Sequence, residues 1–189
     1  MSNHTIAKLL EAHTPADAKE AADMRVIARM LAEAPDVMSQ EHEPGHVTGS
    51  ALVIDETTGR FLLHHHKTLG RWLQVGGHCD PGEDDPARTA LREAREETGL
   101  PDLRFLAAAP IDIDVHQIPS RGARPAHLHL DIRYALVTAM PDALHAGEGE
   151  SAAFAWLTPA DLAVRREVVE PPLARLIEKA LRLFHEDTR

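Results

Sequence analysis

Apolar residues recur at helical spacing along the first 34 positions. "TIAKLLEAH" is short and amphipathic, and "PADAKEAADMRVIARMLAEA" carries Met24, Ile27, Met30 and Leu31 on one stripe. Two helices are therefore expected within residues 4–34, and the proline of "PADA" suits a helix start. The polar stretch "PDVMSQEHEPGH" reads as a connector. From about residue 46 the period shortens. "HVTGSALVID" and "RFLLHHH" are β-rich runs parted by the turn signal "ETTG", and "RWLQV" is a third short apolar run. "LRFLAAAPIDIDVHQI" and "HLHLDIRYALVTA" have strand composition with stretches of alternation, and "SAAFAWLTP" supplies a last short strand. "PPLARLIEKALRLFHE" closes the chain as an amphipathic helix, with Leu173, Leu176, Ile177, Ala180, Leu181 and Phe184 on one stripe. Strands around one central helix, with a terminal helix, predict an α/β fold in which helices sandwich a mixed sheet.

The central helix breaks a local rule. Asp85 can cap it, Pro86 suits its first position and Gly99 can end it, which places it at about 86–98. At helical spacing Glu93, Glu96 and Glu97 fall within roughly one 100° arc, beside a packing face of Ala87, Ala90, Leu91 and Ala94. Carboxylates three or four apart repel by a few tenths of a kcal/mol per pair. They also crowd the helix end whose dipole disfavours negative charge. Two explanations stand: a solvated face, or a site for a hard divalent cation such as Mg²⁺, which prefers oxygen ligands.

Composition narrows the field. The 189 residues suit one domain with room for a small appendage, and the 43% hydrophobic and 26% charged content is ordinary for a globular chain. One cysteine excludes a disulfide framework and a multi-cysteine zinc site, and points to a reducing cytosol. No apolar run reaches membrane-span length, and the N-terminus lacks a signal-peptide pattern. A formal charge of −10 argues against a nucleic-acid polymer as partner. Small anionic substrates stay open, because a bound cation inverts the local field.

The 13 histidines are unusual, and five lie in "HHH" at 64–66 and "HLH" at 127–129. On a strand His64 and His66 face together, with His65 opposite, so one face can line a substrate cleft. His127, His129 and Asp131 share a strand face, and His116 can lie on a neighbouring strand. Such a group could hold Zn²⁺ or a substrate phosphate. It could equally be polar positions facing a solvated cleft, or hydrogen-bonded packing residues. Trp72 and Trp156 read as core anchors.

The run "GGHCDPGEDDPARTALREAREETGL", residues 76–100, resembles the Nudix box, G-x5-E-x7-R-E-U-x-E-E-x-G-U with U bulky and apolar. Gly77, Glu83, Arg92, Glu93, Ala94, Glu96, Glu97, Gly99 and Leu100 match in type. Eight residues, not seven, separate Glu83 from Arg92, and Ala94 is small for U. Strand order and "ESAAFAWLTPADL" extend the resemblance over roughly residues 46–165. It implies a Nudix-type α/β/α sandwich with a mixed sheet. The domain expected from it covers 46–189, including the C-terminal helix, behind an N-terminal helical extension at 1–45.

The resemblance further implies a Mg²⁺-dependent hydrolase, with Mn²⁺ as a substitute, that cleaves the pyrophosphate bond of a nucleoside diphosphate derivative. Glu93, Glu96, Glu97 and the Gly76 carbonyl would be the metal ligands. Arg92, Glu93 and Glu97 would form the catalytic set, with Arg92 orienting Glu93 and Glu93 the first choice for general base. Glu83 (or Asp84 in its place), Glu148 and Glu150 are candidates for a further ligand or base. His116, His127 and His129 are candidates for the substrate cleft or a second metal, with Zn²⁺ as the option there. The expected partner is a small nucleotide-type substrate, in the cytoplasm, with no membrane and with a homodimer as one option. Two alternatives remain: a Nudix-like domain that binds a nucleotide without cleaving it, and an enzyme like isopentenyl diphosphate isomerase, which shares the fold and uses a cysteine. "GGHCDPGE" does not match the isomerase context, so Cys79 reads as a packing residue.

Overall fold

The two N-terminal segments form α1 (Ser2–Ala12) and α2 (Ala18–Glu33), the second capped by the Asp17 carboxylate, which accepts from the Glu20 N–H. This computed structural model describes residues 2–34, 36–66, 70–122, 124–147, 153–165 and 169–187. The period-two region supplies β1 (Gly45–Asp55), β2 (Phe61–His66), β3 (Arg71–Leu73) and β4 (Val75–His78). After α3 (Pro86–Thr98) come β5 (Arg104–Phe105), β6 (Asp112–Ile118), β7 (His127–Thr138) and β8 (Phe154–Leu157). The chain continues through α4 (Pro159–Arg165) to α5 (Pro171–Asp187). "LRFLAAAPIDIDVHQI" makes two strands rather than one, because the "AAAP" segment leaves the sheet between β5 and β6. Among the described residues no helix is long and apolar enough to cross a membrane.

The strands form one mixed sheet. Its spine is β1 paired with β7 in parallel over the full length of β1, from Gly45↔Leu128 to Asp55↔Thr138. β2 and β4 pair antiparallel with β1, and β5 and β6 with β7.

Alternation along the spine sorts side chains to two faces. Val47, Ala51 and Val53 of β1, with Leu130, Ile132, Tyr134 and Leu136 of β7, join the core shared with α1, α2 and α3. The opposite face is split along its length. Leu52, Ile54, Ala135 and Val137 pack under Leu173, Leu176, Ile177, Ala180 and Phe184 of α5. Earlier on the same strands, the same parity brings His46, Thr48 and Ser50 beside His127, His129 and Asp131. Half of this face is thus apolar and helix-covered, and half is polar.

A buried charge network ties the N-terminal helices to this frame. Glu20, fully buried, accepts from Lys179 Nζ at 2.6 and 2.7 Å, from the Ala16 N–H at 2.6 Å and from the Ile113 N–H at 3.0 Å. Arg175 donates to Asp112 at 2.7 Å and to Asp17 at 3.2 Å, and Lys19 reaches Asp114. One cluster therefore joins α2, β6 and α5.

Candidate functional site

The helix that crowds the carboxylates forms as its ends dictate. Asp85 accepts from the Ala87 N–H at 2.9 Å, Pro86 takes the first turn, and Gly99 stops it in a left-handed cap at φ 63°. Ala90 and Ala94 are fully buried in the core below the sheet, while Glu93 and Glu97 of the same helix line the cleft. The helix runs unbroken from Pro86 to Thr98, so the spacing of Arg92, Glu93, Glu96 and Glu97 is that of one continuous α-helix despite the extra residue between Glu83 and Arg92.

Arg92 is the hub of the acidic cluster. Its Nε and Nη2 donate to Glu83 at 3.1 and 3.0 Å, and Nη2 also reaches the His78 carbonyl at 2.8 Å. Its Nη1 donates to Glu93 at 2.9 Å and to Glu96 at 3.0 Å. These charge-assisted bonds push the Arg92 pKa up, that to Glu83 most of all. Burial pushes the Glu83 carboxyl up, but bonds from Arg92, the Asp80 N–H and Thr89 outweigh it and bring it down to about 2. Glu83 has its oxygens engaged on three sides and aims Arg92.

Glu93 lies over Gly77, so closely that a Cβ there would stand 2.6 Å from its carboxylate. Burial raises the Glu93 pKa, with Glu96 and Asp80 adding repulsion that Arg92 only partly offsets. Glu97 is 6% exposed, accepts from the Gly76 N–H at 3.1 Å and lies 3.3 Å from His64 Nδ1. Glu96 differs from both: its side chain is 57% exposed and turned to Arg92. Oxygen donors gathered on Gly76 and Gly77, in a site whose burial opposes their charge, fit a hard divalent cation. Glu93, Glu97 and the Gly76 carbonyl would hold it, with Glu96 at the rim. Glu148 and Glu150 lie outside the described residues.

The cleft, about 830 Å³, extends from Gly76, Gly77, Glu93 and Glu97 over the polar half of the sheet to Arg121 and Arg124. His64 and His66 line it, as do His116, His127 and His129. Asp131, grouped with these histidines from sequence, does a different job. It accepts from Thr48 at 3.0 Å, Ser50 at 2.9 Å, Gln74 at 3.2 Å and Arg133 at 2.7 Å, which makes it part of the cleft floor. His46 and His78 join the histidines although sequence gave no reason to single them out. His46 stands in register with His129 across the β1–β7 pairing, and His78 opposite Thr48 on β4. Only strand pairing reveals this neighbourhood. Cys79 is buried, and its Sγ accepts from Thr89 at 3.3 Å. Burial pushes its thiol up to about 11, the opposite of a reactive thiolate.

Sandwich and acidic loop–helix–loop together define a fold and site of the Nudix class. A family model described as the NUDIX domain matches residues 45–180, and the chain belongs to that family. Rat bis(5'-nucleosyl)-tetraphosphatase [asymmetrical] is 48% identical over 48 residues, 25% of this chain and 32% of the relative. The match thus spans about a third of that curated relative's length. Among solved structures, a NUDIX family hydrolase from Clostridium perfringens is similar at 28% identity and a TM-score of 0.54, over 73% of this chain and 97% of that one. The NUDIX domain of Shewanella oneidensis NrtR, complexed with ADP ribose, is similar in fold at 21% identity and a TM-score of 0.51, over 86% and 98%.

Proposed function

We propose that the protein is a Mg²⁺-dependent hydrolase, with Mn²⁺ as a working substitute, that cleaves the pyrophosphate bond of a nucleoside diphosphate derivative. The carrying observation is the seating of Glu93 on Gly77, beside Glu97 on Gly76, at one end of an open cleft. A cation held there would supply charge neutralisation for the pyrophosphate and a more acidic water. Glu93 would take the proton of the attacking water, with Arg92 donating to its carboxylate at 2.9 Å. The water oxygen would then bond to phosphorus as the bridging P–O bond breaks, and the leaving phosphate would depart with that bond's electrons. Arg121 and Arg124 give the far part of the cleft positive charge suited to further phosphate. Dinucleoside polyphosphates are the first substrates to test, since the rat relative is named for a bis(5'-nucleosyl) tetraphosphate.

The deciding experiment is a panel of dinucleoside polyphosphates, nucleotide sugars, ADP-ribose and nucleoside triphosphates, with Mg²⁺ or Mn²⁺, scored for phosphate or nucleotide release. Turnover of at least one compound is expected, lost with chelator and in Glu97→Gln. A flat response across the panel, with nucleotide binding retained, would replace the enzyme with a nucleotide-binding domain.

A further inference from the structure

Five imidazoles meet on the polar half of the sheet, contributed by four strands. His46 of β1 has ring centroids 5.0 Å from His78, 5.1 Å from His127 and 5.1 Å from His129. His129 also lies 5.3 Å from His127 and 5.4 Å from His116. Burial first, then the neighbouring histidines, lowers His46 to about 4 and His129 to about 2. Neutral imidazoles are what a metal ion requires.

The hydrogen bonds leave nitrogen lone pairs unused. Neither ring nitrogen of His46, a residue 1% exposed, makes a geometric hydrogen bond among the described residues, although the His42 backbone lies close enough to raise its pKa against the effect of burial. His127 donates Nδ1–H to the Pro125 carbonyl at 3.0 Å, and its buried Nε2 has no partner among the described residues. A histidine whose second nitrogen bonds a carbonyl is oriented as a metal ligand commonly is. One donor atom from each of His46, His127 and His129 lies within 4.8 Å of the others. The Nε2 atoms of His78 and His129 are 3.3 Å apart, a hydrogen bond that sets His78 beside the group as a neighbour of His129 rather than a member of it.

We propose that His46, His127 and His129 form a second cation site, for a borderline transition metal of which Zn²⁺ fits best, in the same cleft as the carboxylates. Three imidazoles and no thiolate or carboxylate favour Zn²⁺ over Mg²⁺, which takes oxygen. Three protein ligands leave a further position for water or an anionic group of the substrate. The set differs from the one expected from sequence: His46 takes the place of His116, whose Nδ1 is held by Asp114 at 3.0 Å, and Asp131 is committed to the cleft floor. Nothing in this assignment depends on the hydrolase reading, which rests on the carboxylates.

The test is a Zn²⁺ titration of metal-free full-length protein in excess Mg²⁺, which occupies the oxygen site. One equivalent of Zn²⁺ should bind, and Co²⁺ in its place should give the intense visible bands of a tetrahedral nitrogen site. His129→Gln, at a half-buried position, should lose binding by far more than the roughly 10–100-fold typical of removing an orienting partner. His46→Gln should do the same, and circular dichroism will show whether that buried variant folds. Glu93→Gln should bind Zn²⁺ unchanged. Absence of stoichiometric Zn²⁺ in wild type, retention in folded His129→Gln, or loss in Glu93→Gln would each overturn the proposal.

Discussion

Glu20 and Lys179, 159 positions apart, meet in the interior at 2.6 and 2.7 Å, so the second helix and the last are joined by a buried ion pair. Removing one partner strands a charge away from water. Glu20→Ala should lower unfolding free energy by roughly 3–5 kcal/mol in urea denaturation. Glu20→Leu combined with Lys179→Met should recover much of that. We propose on the same grounds that the N-terminal helices fold together with the Nudix domain, so that both report one transition.

Acid should weaken the same cluster. Burial raises the carboxyl pKa values of Glu20 and Asp114. Bonds from His13, Ala16 and Lys179 to Glu20, and from His116 with the charges of Arg133 and Lys19 on Asp114, more than reverse this and hold both well below the usual range. A depressed folded-state pKa means the unfolded chain binds the proton more readily. The stabilisation is therefore complete above the unfolded values, about 4 to 4.5, and drains away as pH falls below them. Denaturation midpoints at pH 7, 4 and 3 should fall in that order, and Asp114→Asn should flatten the trend.

Gly77→Ala tests the seat of Glu93. The new methyl would stand 2.6–2.7 Å from the Glu93 carboxyl atoms, so that carboxylate must move. A displacement near 1 Å should cost on the order of 10²-fold in kcat. Thermal stability should change little, because the far end of a side chain gives way. Steady-state kinetics beside a melting curve would separate the two effects.

Arg92→Lys should fail to replace arginine. The guanidinium serves Glu83, Glu93, Glu96 and the His78 carbonyl at once, a fork that an ammonium cannot reproduce. Loss of kcat/KM by about 10²-fold is expected, with the half-saturating Mg²⁺ concentration raised. Titrating turnover against Mg²⁺ checks both.

Much of this was legible in the chain because the signals are local. Asp85, Pro86 and Gly99 delimit α3 by capping chemistry, and the spacing of Glu93, Glu96 and Glu97 follows from helical pitch. That Glu96 would turn outward to Arg92 while Glu97 is buried was not legible, since both lie on the same helical arc. His46 escaped notice for another reason. It belongs to the histidine group only through its register with His129, and a pairing across 83 positions leaves no local trace. Asp131 alternates correctly with His127 and His129, yet the demands of buried Arg133 decide what it does.

The β1–β7 pairing carries one more consequence. Its central position makes its amides candidates for the slowest hydrogen exchange in the molecule, exposed only by global unfolding. His46, His127, His129 and Asp131 are mounted on those two strands, so the cleft floor should persist through the local openings that fray loops and termini. Arg121 and Arg124, by contrast, sit on the connection between β6 and β7. Substrate range could then be retuned by exchanging that connection while the floor is kept, a division of labour that directed evolution of this cleft can exploit.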